Sequence, residues 1–228
     1  MSIEWLLIKR DIAKLKLQML CYGGITLFGL ILLGYPQEQI ALLGGIVCVF
    51  SMVAFYCHLV FKNVVLEAKE NNHLFLMTLP VTAAQLSLVK IISSLLAYLI
   101  VWLPAFASLF VLNVICDYWS SGTLVFQVQG FALYLTAFAL ALSVAIVSRS
   151  EGWTISAWVL SNLIVVVFLN IVPSSDYMQK AFSAGIVGEI GVVWPETANV
   201  VIAVELILFA ILIAIAFVAA VRQKNITR

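Results

Sequence analysis

With 228 residues, 64% of them hydrophobic, 10% charged and a net charge of +1, this chain does not have the composition of a soluble domain. Globular domains carry about a quarter charged residues, and a chain of this size has too small an interior to hide so much apolar surface. The near-zero net charge gives no electrostatic reason to expect a nucleic-acid partner, so the expectation is an all-α integral membrane protein.

The first residues interleave Ile3, Leu6, Leu7, Ile8, Ile12 and Leu15 with Glu4, Lys9, Arg10, Asp11, Lys14 and Lys16. This is not the short apolar core and small-residue cleavage site of a signal peptide. The pattern predicts an amphipathic helix over 1–16, lying in the membrane interface with its lysines toward anionic headgroups. Runs with few or no charges follow at 18–35 and 40–61, then at 91–115, 123–148, 154–172 and 197–221. Each is close to the roughly 20 residues that a helix needs to cross the hydrocarbon layer. None alternates with the period of two expected of a barrel strand, so six transmembrane helices are predicted. Gly23, Gly24 and Gly29 in the first span, and Gly44 and Gly45 in the second, predict close helix approach, either within the chain or between two copies.

The connection from Lys62 to Lys90 reads KNVVLEAKENNHLFLMTLPVTAAQLSLVK and is the longest on its side. Its first part sets Glu67, Lys69, Glu70, Asn71 and Asn72 against Leu66, Leu74 and Met77, which suits a short helix along the membrane surface. Pro80 stops that helix and pushes Leu79 out of the α region. Thr82-Ala-Ala-Gln85 is then a capping box, with Val81 and Leu86 placed as a hydrophobic staple. A helix, a hard stop and a capped restart form a firm elbow that feeds straight into the third span.

The last connection on the other side mixes apolar residues with Gly185, Gly188 and Gly191 and ends Val192-Val193-Trp194-Pro195. Residues 181–193 are too few to span and too apolar for a solvated loop, so a re-entrant or interfacial hairpin is predicted within 176–196. Polar residues inside spans include Gln127, Gln129, Asn162, Asn170 and, in the sixth span, Glu205. An intramembrane carboxylate costs about 2.5–3.5 kcal/mol on insertion scales and marks either a transport path or a structural hydrogen bond. For the amides, bonding between helices is the simpler expectation.

Of the twelve Lys and Arg residues, all but Lys180 fall on one side once the six spans are threaded. Positive residues stay inside, which predicts cytoplasmic N- and C-termini. No G-x-x-x-x-G-K-[ST] phosphate loop is present, so ATP hydrolysis by this chain alone is not expected. His58 and His73 form no H-E-x-x-H site, and Cys21, Cys48, Cys57 and Cys116 contain no C-x-x-C pair, so neither a zinc protease nor a thiol oxidoreductase is expected.

The surface helix ending in Leu79-Pro80-Val81-Thr82, with Lys90 at the foot of the third of six spans, resembles the permeases of the type-2 ABC exporter family. The matching residues are Leu76, Leu79, Pro80, Val81, Thr82 and Lys90, with Glu67 and Glu70 in the acidic lead-in. The chain departs from the family's Gly-Ser/Thr-Leu-Glu in carrying Asn72-His73-Leu74-Phe75, and has Ala83 and Ala84 where a basic residue is common. The resemblance covers essentially the whole chain. It implies a single permease domain over 1–228, with a coupling segment (Glu67, Glu70, Asn72, His73, Leu76, Leu79, Pro80 and Thr82) that docks on a separate ATP-binding cassette subunit holding ATP and Mg. It further implies a second permease, identical or different, an inner-membrane location and short re-entrant helices before the sixth span. The transport path is expected to draw on Glu205, Asn162, Asn170 and Gln127. The haem-export-linked permeases of cytochrome c maturation share this length and layout. From a different class, a stand-alone ion-coupled carrier using Glu205 is the alternative.

Overall fold

The computed structural model describes residues 3–66, 82–115, 120–184 and 192–222. Within them nearly all of the chain is helical: α1 (Ile3–Leu33), α2 (Glu38–Val60) continued by a π-helical stretch (Phe61–Leu66), α3 (Ala83–Ile115), α4 (Ser121–Ser148), α5 (Glu151–Ile171), the short α6 (Asp176–Ser183) and α7 (Glu196–Arg222). Six of these are long and apolar enough to cross a membrane. Large apolar side chains such as Leu17, Phe28, Phe50, Leu163 and Ile207 point outward from them, as an integral membrane protein requires. Trp5 and Trp153 lie exposed toward one end of the bundle and Tyr35 toward the other, where aromatic rings anchor to headgroups.

The expected spans agree with the helices to within a few residues at most ends, with two differences. The separate helix anticipated over 1–16 is instead the first half of α1, which runs unbroken for 31 residues, about 46 Å. No Gly or Pro interrupts it before Gly23, so nothing in the backbone ends the helix where the charges end. Part of its apolar face, Leu7 and Ile8, is buried against Val89 of α3. The third span likewise continues a helix that begins well before its charge-free run, at Ala83.

α4 is the central helix, buried along most of its length and packed against α7, α5, α2 and α6. Around it an aromatic column builds the core: Tyr22, Phe55, Tyr98 and Phe138 follow one another, the last pair stacked at 4.3 Å between ring centroids. Buried hydroxyls are satisfied across helices, Tyr56 with Ser161 at 3.0 Å and Tyr98 to the Tyr134 carbonyl at 3.4 Å.

α1 and α2 touch at glycine. A methyl group built on Gly29 would lie 2.9 Å from the Cys48 amide nitrogen and 3.0 Å from the Gly44 carbonyl, and one on Gly44 would collide with the backbone at Gly29 and Leu33. Beside this crossing Thr26 and Ser51 share a buried hydrogen bond of 2.8 Å. Gly29 and Gly44 therefore serve packing within the chain, whereas Gly24 has open space where a side chain would be.

Candidate functional site

The start of α1, the exit of α2, the start of α3 and the end of α4 meet at one end of the bundle, the end rich in Lys and Arg. The chain passes from Leu66 through the segment 67–81 and returns at Thr82, so this junction frames both ends of the predicted coupling segment. Glu67, Glu70, Asn72, His73, Leu76, Leu79 and Pro80 lie outside the described residues, as does Val81 of the expected staple. Thr82 is described, and the capping box predicted from it is formed in both directions. The Thr82 amide donates to Gln85 Oε1 at 2.8 Å, and the Gln85 amide donates to Thr82 Oγ1 at 3.2 Å. The other end of the Gln85 amide donates to Glu4 on α1 at 3.0 Å, so the cap is also a cross-link.

One helical turn beyond, the contacts become ionic. Lys90 Nζ lies 2.5 Å from Asp11 Oδ2, and Asp11 is completely buried. Arg10 holds the other oxygen of Asp11 through Nε at 3.1 Å and a terminal nitrogen at 2.8 Å. Lys90 also donates to Asn63 Oδ1 at 3.4 Å, and Asn63 Nδ2 donates to Ser94 at 2.8 Å and Ser93 at 3.0 Å. Asn63 belongs to the π-helical stretch at the exit of α2. The cluster thus ties α1, the end of α2 and the foot of α3 into one polar knot, with each buried group partnered. Arg149 completes the ring from α4. It ends that helix in the left-handed region at φ 49°, and its guanidinium donates to Ser87 at 3.3 Å. A non-glycine residue in that conformation costs about 1–2 kcal/mol.

Sequence reasoning named Lys90 but missed Asp11 and Asn63 as its partners. A signal for Asp11 was present: Leu7, Ile8, Asp11 and Leu15 recur at helical spacing and are all buried, which sets one carboxylate in the middle of an apolar stripe. Asn63 gave no such signal, because its position depends on the π-helical register.

The four residues expected to line a path do not converge. Thr136, at the middle of α4, donates to the Glu205 carbonyl at 2.9 Å, so Glu205 sits level with the centre of that helix. The residue is 6% exposed, and its Oε2 is buried with no hydrogen-bond partner among the described residues. Gln127 is nine positions before Thr136, half a turn away on α4 at 3.6 residues per turn, so it faces the opposite side. There it lines an open cleft of about 730 Å³ between α2, α4 and α5, whose other walls include Gly45, Tyr134, Leu169 and Phe182. On α5 Asn162 is half-buried and Asn170 exposed, and each donates to its own helix, to the Trp158 and Val166 carbonyls at 2.9 and 2.7 Å. The expectation that the amides bond between helices therefore holds for neither. It holds for Gln129, whose amide reaches the Tyr177 hydroxyl of α6 at 3.3 Å.

Within the predicted hairpin, α6 lies against the start of α4 through the wholly buried Met178 and Ala181, with Val125 and Ala198. Gly122 lets it approach so closely that a methyl group there would overlap Phe182. Residues 192–195 return alongside, the Val193 amide donating to Ser121 at 3.0 Å. Residues 185–191 lie outside the described residues. No family model and no curated protein matches this chain.

Proposed function

We propose that this chain is the non-catalytic permease subunit of an ATP-driven exporter of the bacterial inner membrane, paired with a second permease and with separate ATP-binding cassette subunits. Both termini then face the cytoplasm, and the basic end of the bundle is the end that meets the ATPase. The observation that carries the reading is the capped, cross-linked foot of α3, because a segment that receives force from a partner needs a stiff attachment to the helix it moves. Thr82 and Gln85 fix the first turn of α3. Gln85 binds that turn to Glu4 of α1, and Lys90 binds the next to Asp11. Displacement of 67–81 by nucleotide closure is thereby passed to α1 and α3 together.

The cleft beside Gln127 is apolar apart from Glu38, Thr123 and Gln127, and no span carries a Lys or Arg at mid-depth. That lining suits an amphiphile such as a lipid, drug or antimicrobial peptide better than a multiply charged anion. Substrate would leave past α6 and residues 192–195, the re-entrant hairpin of this reading.

The test is affinity purification of the tagged chain in mild detergent, with mass spectrometry and an ATPase assay of what accompanies it. A stoichiometric ATP-binding subunit, lost with Leu79→Asp, is the expected result. A clean chain with no ATPase partner overturns the reading. One observation favours the ion-coupled alternative, the buried Glu205 oxygen without a hydrogen-bond partner among the described residues, and a pure chain whose proton-driven uptake in vesicles is abolished by Glu205→Gln would establish it.

A further inference from the structure

Along α1 the residues Lys9, Ile12, Lys16, Leu20, Gly23 and Leu27 recur every three or four positions and form one stripe. With Ile100, Val101 and Pro104 of α3, this stripe encloses an open groove of about 570 Å³. Its floor is kept low by glycine: a methyl group on Gly23 would reach Val101 only at 3.7 Å, and one on Gly24 would meet nothing within 4 Å. The groove is apolar along its length and cationic at its mouth. Lys9 and Lys16 are both exposed there, and neither forms an ion pair or hydrogen bond among the described residues, although Arg10 beside them is bound to Asp11.

The dimensions are those of a lipid. Lys9 and Lys16 are two helical turns apart, about 10 Å, and Lys16 to Leu27 is about 16 Å, close to the depth of one leaflet. Basic residues at the mouth of an apolar groove between membrane helices favour an anionic headgroup over a zwitterionic one, whose ammonium they repel. We infer that this groove binds an anionic glycerophospholipid, with one acyl chain lying over Gly23 and Gly24 and the phosphate held between Lys9 and Lys16. The inference does not depend on the exporter reading, since it uses only α1 and α3.

The experiment is native mass spectrometry of the delipidated full chain in detergent, titrated with palmitoyl-oleoyl phosphatidylglycerol or with the matching phosphatidylcholine. The expected result is a single bound phosphatidylglycerol at a concentration at least tenfold below that needed for phosphatidylcholine. Lys9→Gln with Lys16→Gln, both exposed positions, should abolish that preference, and Gly24→Leu should weaken both lipids with the lysines intact. Equal binding of the two lipids, or a preference that survives the double lysine substitution, overturns the inference. So does a second copy of the chain in place of lipid that Gly24→Leu displaces, because the groove would then be a seam between protomers.

Discussion

Asp11 is a carboxylate set inside the basic end of the bundle. It is wholly buried, yet two cations reach it, Arg10 from its own helix and Lys90 from α3. Removing one partner of a buried pair costs about 3–5 kcal/mol, because the other charge stays desolvated without compensation. Asp11→Asn should therefore lower stability by roughly 3 kcal/mol, read by unfolding in mixed micelles, and Lys90→Met added to it should recover most of the loss. A double variant no more stable than Asp11→Asn would show that Lys90 does not depend on this carboxylate. At this scale the sequence was partly legible. The stripe through Leu7, Ile8, Asp11 and Leu15 places the carboxylate, and the spacing Thr82 to Gln85 announced the cap that formed. Asn162 and Asn170 were not legible, because an amide in a helix bonds equally well to its own backbone four residues back, and the choice is made by which face the neighbours cover.

The helices themselves were the most legible element, since twenty apolar residues in lipid admit one backbone solution. Their ends were less so. Charge marked the change at residue 16 as a boundary, but charge alone does not end a helix, and Leu15-Lys16-Leu17-Gln18 contains no Gly or Pro. Packing between elements was ambiguous for the glycines, whose use within or between chains depends on which face they share. Gly44 meets backbone atoms of α1, whereas Gly24 meets nothing. Gly44→Ala should thus push α1 from α2 and cost about 1–3 kcal/mol, the range for overpacking. Gly24→Ala should be neutral or stabilising by up to about 1 kcal/mol through helix propensity. Comparing the two in the same unfolding assay checks the assignment, and equal costs would refute it.

For the molecule as a whole, orientation follows from the placement of positive charge, which is a property of the whole thread and not of any one helix. Single cysteines in a cysteine-free background should report it in intact cells. Lys180→Cys, exposed on α6, should react with a membrane-impermeant maleimide added outside, and a cysteine at Arg149 should react only after lysis. The reverse pattern would invert the topology and overturn the ATPase-facing role proposed for the basic end. What no reading of a single chain supplies is the occupant of its outward faces: α5 and α7 present Leu163, Val166, Ile207 and Ile211 to their surroundings, and lipid and protein are equally apolar partners for them.

The π-helical turn at Phe61–Leu66 gives the junction a property that a plain helix would lack. Such a turn holds one residue more than an α turn, and rewinding it as α-helix needs no net loss of backbone hydrogen bonds, only a swing of every side chain beyond it. Asn63 is inside the turn, and its bonds to Ser93, Ser94 and Lys90 hold the wider winding in place. Asn63 acts on the winding as a pawl acts on a wheel: its three bonds to α3 lock the register of the exit of α2, so a change of register must give up all three together.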